Sequence, residues 1–137
     1  MLPSKNFKRS EFACKCGCSF NTVDAELLNL LDYCRKYIYS NTPMIISSGN
    51  RCPKHNLKVK GEPGSKHLLA EAVDIHNAYK TPEDALEQFN KLFPNKYGFG
   101  IYNWGVHIDI HPGPARRWDR RSNKRKSEIK VILKVLA

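Results

Sequence analysis

The sequence predicts an α+β domain: a small antiparallel sheet with helices packed on one side. Three observations carry this. An amphipathic run at residues 21–39 is followed by a short β-rich run at 44–48. A second apolar run, AVDI at 72–75, precedes a well-signalled helix start at Thr81-Pro82. Residues 98–110, GFGIYNWGVHIDI, then alternate like a strand or a hairpin with glycines at its bends. Helix, strand, helix and strands in that order pack as two layers around one core. A chain of 137 residues suits a single domain.

Taken in order, residues 1–20 are polar and cysteine-bearing, an irregular lead-in. The first helix is expected from Asn21 to about Tyr39, capped by Asn21 or Thr22, with Asp24 and Glu26 near its positive end. Leu27, Leu30, Leu31, Cys34 and Ile38 recur at helical spacing and define its buried face. Met44 to Ser48 reads as a strand running into a turn at Gly49-Asn50. Pro53 opens a short helix over 53–60, and GEPGS at 61–65 is a loop. Leu69 to His76 contains a buried strand. Thr81 caps a helix whose apolar face is Ala85, Leu86, Phe89, Leu92 and Phe93, and Pro94 ends it. The last stretch, SEIKVILKVLA, fits period 2 nearly as well as period 3.6, so strand and helix both stay open.

Hydrophobic residues make up 41% and charged residues 26%, a globular mixture rather than a disordered one. No apolar run approaches the roughly 18 residues of a membrane span. The opening MLPSKNFKRSEF lacks the apolar stretch of a secretory signal, so synthesis in the cytoplasm is expected, with any exit by another route. The net charge of +10 is uneven: residues 115–137 hold nine Lys/Arg against two Asp/Glu. Such a tail suits an anionic partner, whether nucleic acid, anionic lipid or acidic wall polymer, and suits a solvated terminal face equally. We divide the chain into a domain over 1–118 and a basic extension of the same domain over 119–137. Five cysteines, an odd number, argue against a disulfide framework. Cys14, Cys16 and Cys18 invite a zinc-knuckle reading, but their spacing is tighter than CxxC, and Cys34 or Cys52 would complete a site only if the fold gathered them. Unligated thiols are the preferred reading.

Chemistry concentrates in two segments, Ser65 to Ile75 and Gly105 to His111. On a strand, His107, Asp109 and His111 share one face while Val106, Ile108 and Ile110 face the core. Burying that polar face without partners is costly, so either a metal or solvent must satisfy it. Two histidines and one carboxylate, with a fourth position for water, form a known type of catalytic zinc site.

Ser65-x-His67-x-x-Ala70-x-Ala72-x-Asp74-Ile75 resembles the Ser-x-His-x-x-Gly-x-Ala-x-Asp motif of the M15 zinc peptidases, the D-Ala-D-Ala carboxypeptidases and related phage endolysins. Ser48-Gly49-Asn50-Arg51-Cys52-Pro53-x-His55-Asn56 resembles their Ser-Gly-x-Arg-Cys/Ser-x-x-His-Asn segment, and Val106-His107-Ile108-Asp109 their Val-His-Val-Asp strand. Glu11-Phe12-x-Cys14-x-Cys16-Gly17 and Ala115-Arg116-x-Trp118 resemble flanking motifs, so the likeness spans residues 7–118 in order. It implies a Hedgehog/DD-peptidase-like fold and one catalytic Zn2+ held by His67, Asp74 and His107. It also implies an Arg51 that contacts the substrate carboxylate or the oxyanion, a role suited to a bidentate guanidinium. Ser65 is expected to orient the first ligand or touch substrate, unless it is only a turn hydroxyl.

The chain departs from the pattern twice. Ala70 stands where the family has glycine, which matters if the backbone there has positive φ. Trp104 stands where many relatives carry a catalytic acid, three residues before the last histidine ligand. Asp109 is therefore expected as the general base, with orientation of a ligand histidine as its alternative. Glu71 is a weaker candidate base. His55 and His111 are expected near the ligands or substrate, and His76 at the surface.

The expected activity is zinc-dependent hydrolysis of a peptidoglycan stem-peptide bond, D-Ala-D-Ala or L-Ala-D-Glu. Phage or prophage lysis would be the setting, with release through a pore and the basic tail on the anionic wall. A zinc-binding structural or wall-binding phage protein without catalysis is the alternative. Nucleic-acid binding ranks last, because it leaves the His/Asp motifs without a purpose.

Overall fold

A computed structural model describes residues 4–135 of the chain. Helix α1 spans Ala25–Tyr37, starting later than Asn21 because Asp24 is its cap. The Asp24 carboxylate accepts from the backbone N–H groups of Glu26 at 2.8 Å and Leu27 at 3.1 Å. That satisfies donors the first turn would otherwise leave open, worth about 1 kcal/mol. Thr22 acts through its backbone instead. Its carbonyl and that of Phe20 receive the Asn50 side-chain amide, which docks the lead-in on the following turn.

Strand β1 (Ile45–Ser48) leads to helix α2 (Pro53–Lys58), then a 3-10 turn at Lys66–Leu69 and strand β2 (Ala72–His76). Helix α3 covers Pro82–Leu92, with the Thr81 hydroxyl accepting from Asp84 N–H at 3.2 Å. Strands β3 (Gly98–Ile101) and β4 (Val106–Asp109) form the expected hairpin. Strand β5 (Arg116–Asp119) and helix α4 (Asn123–Glu128) follow.

The five strands lie in the order β1-β2-β4-β3-β5. Three pairings are antiparallel, but β5 runs parallel to β3, so the sheet is mixed rather than purely antiparallel. The proline- and glycine-containing link after β4 carries the chain to the far edge of β3 instead of folding it back beside β4. An edge strand of composition RRWD is only partly buried, which is why it lacks the alternation that marks a strand in sequence.

Strand alternation gives the sheet two unlike faces. Val73, Ile75, Phe99, Ile101, Val106 and Ile108 join one apolar cluster with Leu27 and Leu31 of α1 and Leu86 and Phe89 of α3. Phe89 stacks on Phe99 with centroids 4.7 Å apart. The intervening residues, Asp74, His107, Asp109, Gly98 and Gly100, face the other way and build the site described below.

Beyond Glu128 the chain is neither helix nor strand up to residue 135, and residues 136–137 lie outside the described part. Val131 and Leu133 pack against the core while Ile132 and Val135 are exposed. The period-2 pattern thus records an extended docked segment rather than a sheet strand. No helix of the described residues is long and apolar enough to cross a membrane.

Candidate metal and active site

His67 is placed by two backbone devices. The Ser65 hydroxyl accepts from His67 N–H at 3.2 Å and caps the 3-10 turn. Ala70 then turns the chain into β2 with φ of +59°, so the position where relatives carry glycine does require the left-handed region. The His67 ring donates Nδ1–H to the Gly49 carbonyl at 2.6 Å, which leaves Nε2 as a bare lone pair. That Nε2 is buried without a hydrogen-bond partner and lies 3.3 Å from Asp74 Oδ2.

Asp74 and His107 face one another because β2 and β4 pair them in register. His107 Nδ1 lies 2.9 Å from Asp74 Oδ1, and its Nε2 lies 2.8 Å from Asp109 Oδ2. One donor atom each from His67, Asp74 and His107 falls within 4.8 Å of the others. All three residues are buried, at 1%, 6% and 7% exposure. Burial alone would raise the Asp74 carboxyl, but the hydrogen bond with His107 and the closeness of the His67 ring outweigh it and hold the group far below the ordinary range. Burial likewise opposes a charged His107, yet its hydrogen bonds to Asp109 and Asp74 reverse the effect and raise it.

This arrangement fits a metal ion. An unprotonated Nε2 facing a carboxylate oxygen in a buried pocket is an acceptor set against an acceptor, and a cation between them resolves it. Two imidazole nitrogens and one carboxylate oxygen are the donor set of a catalytic zinc site.

Asp109 lines the cleft and is held there as a partner of His107. It is 0% exposed and meets the His107 nitrogen that points away from Asp74. It also accepts from Arg116 at 3.1 Å and from the backbone N–H of His111 at 2.9 Å. Gly98 lies opposite on β3, where a Cβ would stand 2.5 Å from both carboxylate oxygens, so only glycine admits the group. Strand alternation correctly put Asp109 on the face of His107. It could not reveal which nitrogen the carboxylate meets.

Arg51 lies beside the cluster. Its guanidinium donates to Ser48 at 3.2 Å, Asn56 at 3.2 Å and Asp74 Oδ2 at 3.4 Å. Around these residues opens a cleft of about 600 Å³. Arg51, Lys60, Lys66, Arg116 and Arg120 give it a cationic wall, and Tyr102, Trp104 and Trp118 an aromatic one. Trp104, 50% exposed, stacks on Tyr102 with centroids 5.2 Å apart. Trp118 packs against the His107 ring at 4.9 Å. Glu62, paired with Arg120 at 3.8 Å, is the remaining carboxylate of the cleft lining. Of these wall residues, Arg116 and Trp118 carried a signal through their flanking motif; Lys60, Glu62, Tyr102 and Arg120 carried none.

The other singled-out residues lie elsewhere. Glu71 contributes its backbone carbonyl to Ile110 and does not line the cleft. His55 is beside the cysteines, and His76 is exposed at the end of β2. His111 adjoins Asp109 through its backbone.

The chain matches the Peptidase M15 family over residues 5–109. It belongs to that family. No curated relative matches it. The protein is thus a peptidase of family M15, whose members typically depend on zinc, and it brings together a residue group able to hold that ion.

Proposed function

We propose that this M15 peptidase hydrolyses a peptide bond of peptidoglycan stem peptides, with His67, Asp74 and His107 as the ligands of one catalytic zinc. The observation that carries this reading is the buried three-donor cluster, with its unpartnered His67 Nε2, beside a cationic and aromatic cleft. Zinc in such a site supplies a Lewis acid and brings the pKa of water near neutrality.

The chain's own residues supply binding and orientation. Arg51, held by Ser48 and Asn56, carries positive charge beside Asp74, where it can receive a substrate carboxylate or the oxyanion of the transition state. Stem peptides carry free carboxylates, which suits the cationic wall. Ser65 fixes the backbone of His67 and lines the cleft. Asp109 acts as a positioning residue that locks the His107 ring and its tautomer. The proton acceptor is then Glu62 or solvent water, and Glu62→Gln separates the two: loss of kcat identifies Glu62, an unchanged kcat identifies water.

The setting we infer is the bacterial wall, reached through a pore made by another protein during phage or prophage lysis. Exposed Lys124, Lys126, Lys130 and Lys134 remain free to meet acidic wall polymers. Arg116, Arg117, Arg121 and Arg125 are engaged within the fold. These four of the tail's nine cations are held against the fold rather than presented on a free tail.

Digestion of purified muropeptides by the zinc-loaded protein, with products resolved by mass, tests the proposal. Loss of a terminal alanine identifies a D-Ala-D-Ala carboxypeptidase, and release of whole stem peptides an L-Ala-D-Glu endopeptidase. Stoichiometric zinc at the histidine site without cleavage would overturn it in favour of a structural or wall-binding protein.

A further inference from the structure

The cysteines of the lead-in form a second cluster, separate from the cleft. Cys14, Cys16 and Cys18 follow a 3-10 turn at Arg9–Phe12, and Cys52 stands at the N-terminus of α2. The fold brings one sulfur from each of these four within 4.8 Å of the others. Cys16 Sγ lies 3.4 Å from Cys14 Sγ and 3.6 Å from Cys52 Sγ. Zinc–sulfur bonds of about 2.3 Å in a tetrahedron place sulfurs about 3.8 Å apart, so these separations are close to those of a four-thiolate cage. The fifth cysteine, Cys34, is fully buried in the core and takes no part.

The tight CxCxC spacing works because the chain folds back between the sulfurs. Gly17 N–H donates to the Cys14 carbonyl at 3.2 Å, and Cys14 N–H to the Phe20 carbonyl at 2.9 Å. Gly17 has φ of +82°, a conformation that favours glycine. Backbone donors already address two of the sulfurs: Cys52 N–H to Cys14 Sγ and His55 N–H to Cys52 Sγ, each at 3.4 Å. Such donors stabilise thiolate and are the usual outer support of a metal-bound sulfur. Lys15, Lys54 and Lys58 line the same recess as Cys16, Cys18 and Cys52, and their charge counters that of a divalent ion with four thiolates.

We propose that Cys14, Cys16, Cys18 and Cys52 hold a structural zinc ion, distinct from the one in the catalytic cleft. Four thiolates and no open position describe a closed site. Its effect follows from what it joins. The ion clamps the lead-in to the turn between β1 and α2, where Asn50 N–H already donates to the Phe12 carbonyl at 2.9 Å. That turn carries Gly49, whose carbonyl holds the His67 ring, and Arg51. The cysteine site therefore braces two groups that position the cleft chemistry while contributing no ligand to it.

Metal analysis of the full-length protein, purified without chelator, tests this independently of any peptidase activity. The wild type is expected to carry two zinc ions per chain, and both His67→Ala and the double variant Cys16→Ser/Cys18→Ser one each. Replacement by cobalt supplies a second readout. Thiolate-to-cobalt charge-transfer absorption is expected in the wild type and in His67→Ala, and its loss in the cysteine variant. Should the cysteine variant fail to fold, the wild type and His67→Ala still decide the matter. A wild type with no thiolate-to-cobalt absorption would overturn the proposal, as would one whose denatured mass shows these cysteines joined as disulfides. A zinc content falling to zero in His67→Ala would overturn it as well.

Discussion

Ala70 is a single methyl group with a measurable cost. Its φ of +59° places an L side chain in the left-handed region, a strain of about 1–2 kcal/mol that glycine does not bear. Ala70→Gly is therefore expected to stabilise the fold by about 1 kcal/mol in denaturant unfolding, with zinc content unchanged. An unchanged or lowered stability would show that the Ala70 methyl, which is buried, contributes as much as the strain removes. Asp109 meets the His107 ring directly. As a positioning residue on His107 it is expected to alter metal binding: Asp109→Asn should weaken zinc affinity by about 10–100-fold. A base would instead lose kcat at unchanged zinc affinity, so competition with a metal indicator separates the roles. The grouping of His67, Asp74 and His107, which the resemblance implied from one dense motif and one strand, is met in the fold, where their donor atoms converge. Trp104 shows the limit. Its place in the motif marked a missing acid, while its stacking on Tyr102 at the cleft wall became visible only in three dimensions.

At the scale of elements, helices with strong local chemistry were the most legible. Thr81, Pro82 and the acids behind them marked α3 because capping is a property of adjacent residues. The start of α1 was less so: Asn21, Thr22 and Asp24 are all competent caps, and docking of the lead-in on Asn50 chose among them. The parallel placement of β5 was not legible, since pairing direction depends on where a loop travels. One of the acids in the first turn of α3 has a further part. Glu83 is buried and paired with Arg125 at 2.7 Å and Arg121 at 3.2 Å, joining α3 to the segment after β5. The Arg125 hydrogen bond, partly opposed by burial and aided by Arg121, holds the Glu83 carboxyl below its ordinary value. A carboxyl depressed in the folded state contributes stability that is fully present above its unfolded value, near 4.5. That contribution is lost as pH falls from there through the folded value. Glu83→Gln is thus expected to cost about 3 kcal/mol at neutral pH and to flatten the loss of stability below about pH 4.5. Urea unfolding at neutral and acid pH checks both. An acid limb identical to that of the wild type would show the pairing has no energetic weight.

Over the whole molecule, one sheet separates two functions. Its helix-facing residues alternate Val, Ile and Phe and make the core; its opposite face carries Asp74, His107 and Asp109 and the glycines that give them room. Phe89, fully buried against Phe99, belongs to the first face, and Phe89→Ala is expected to destabilise the protein by about 3–5 kcal/mol without removing a metal ligand. This division was legible in outline, because period-2 alternation reports a face. The cleft was not, because its wall is assembled from the loop at 60–66, the β3–β4 turn and the edge strand, segments far apart in the chain. The proposed cleavage of stem peptides depends on a zinc ion held by His67, Asp74 and His107. The most direct measurement is muropeptide turnover, followed by mass, as zinc is removed from the protein and restored. Activity should vanish on removal and return with zinc in the wild type, and be absent from His67→Ala at any zinc concentration. Turnover that persists without metal, or in His67→Ala, would contradict it.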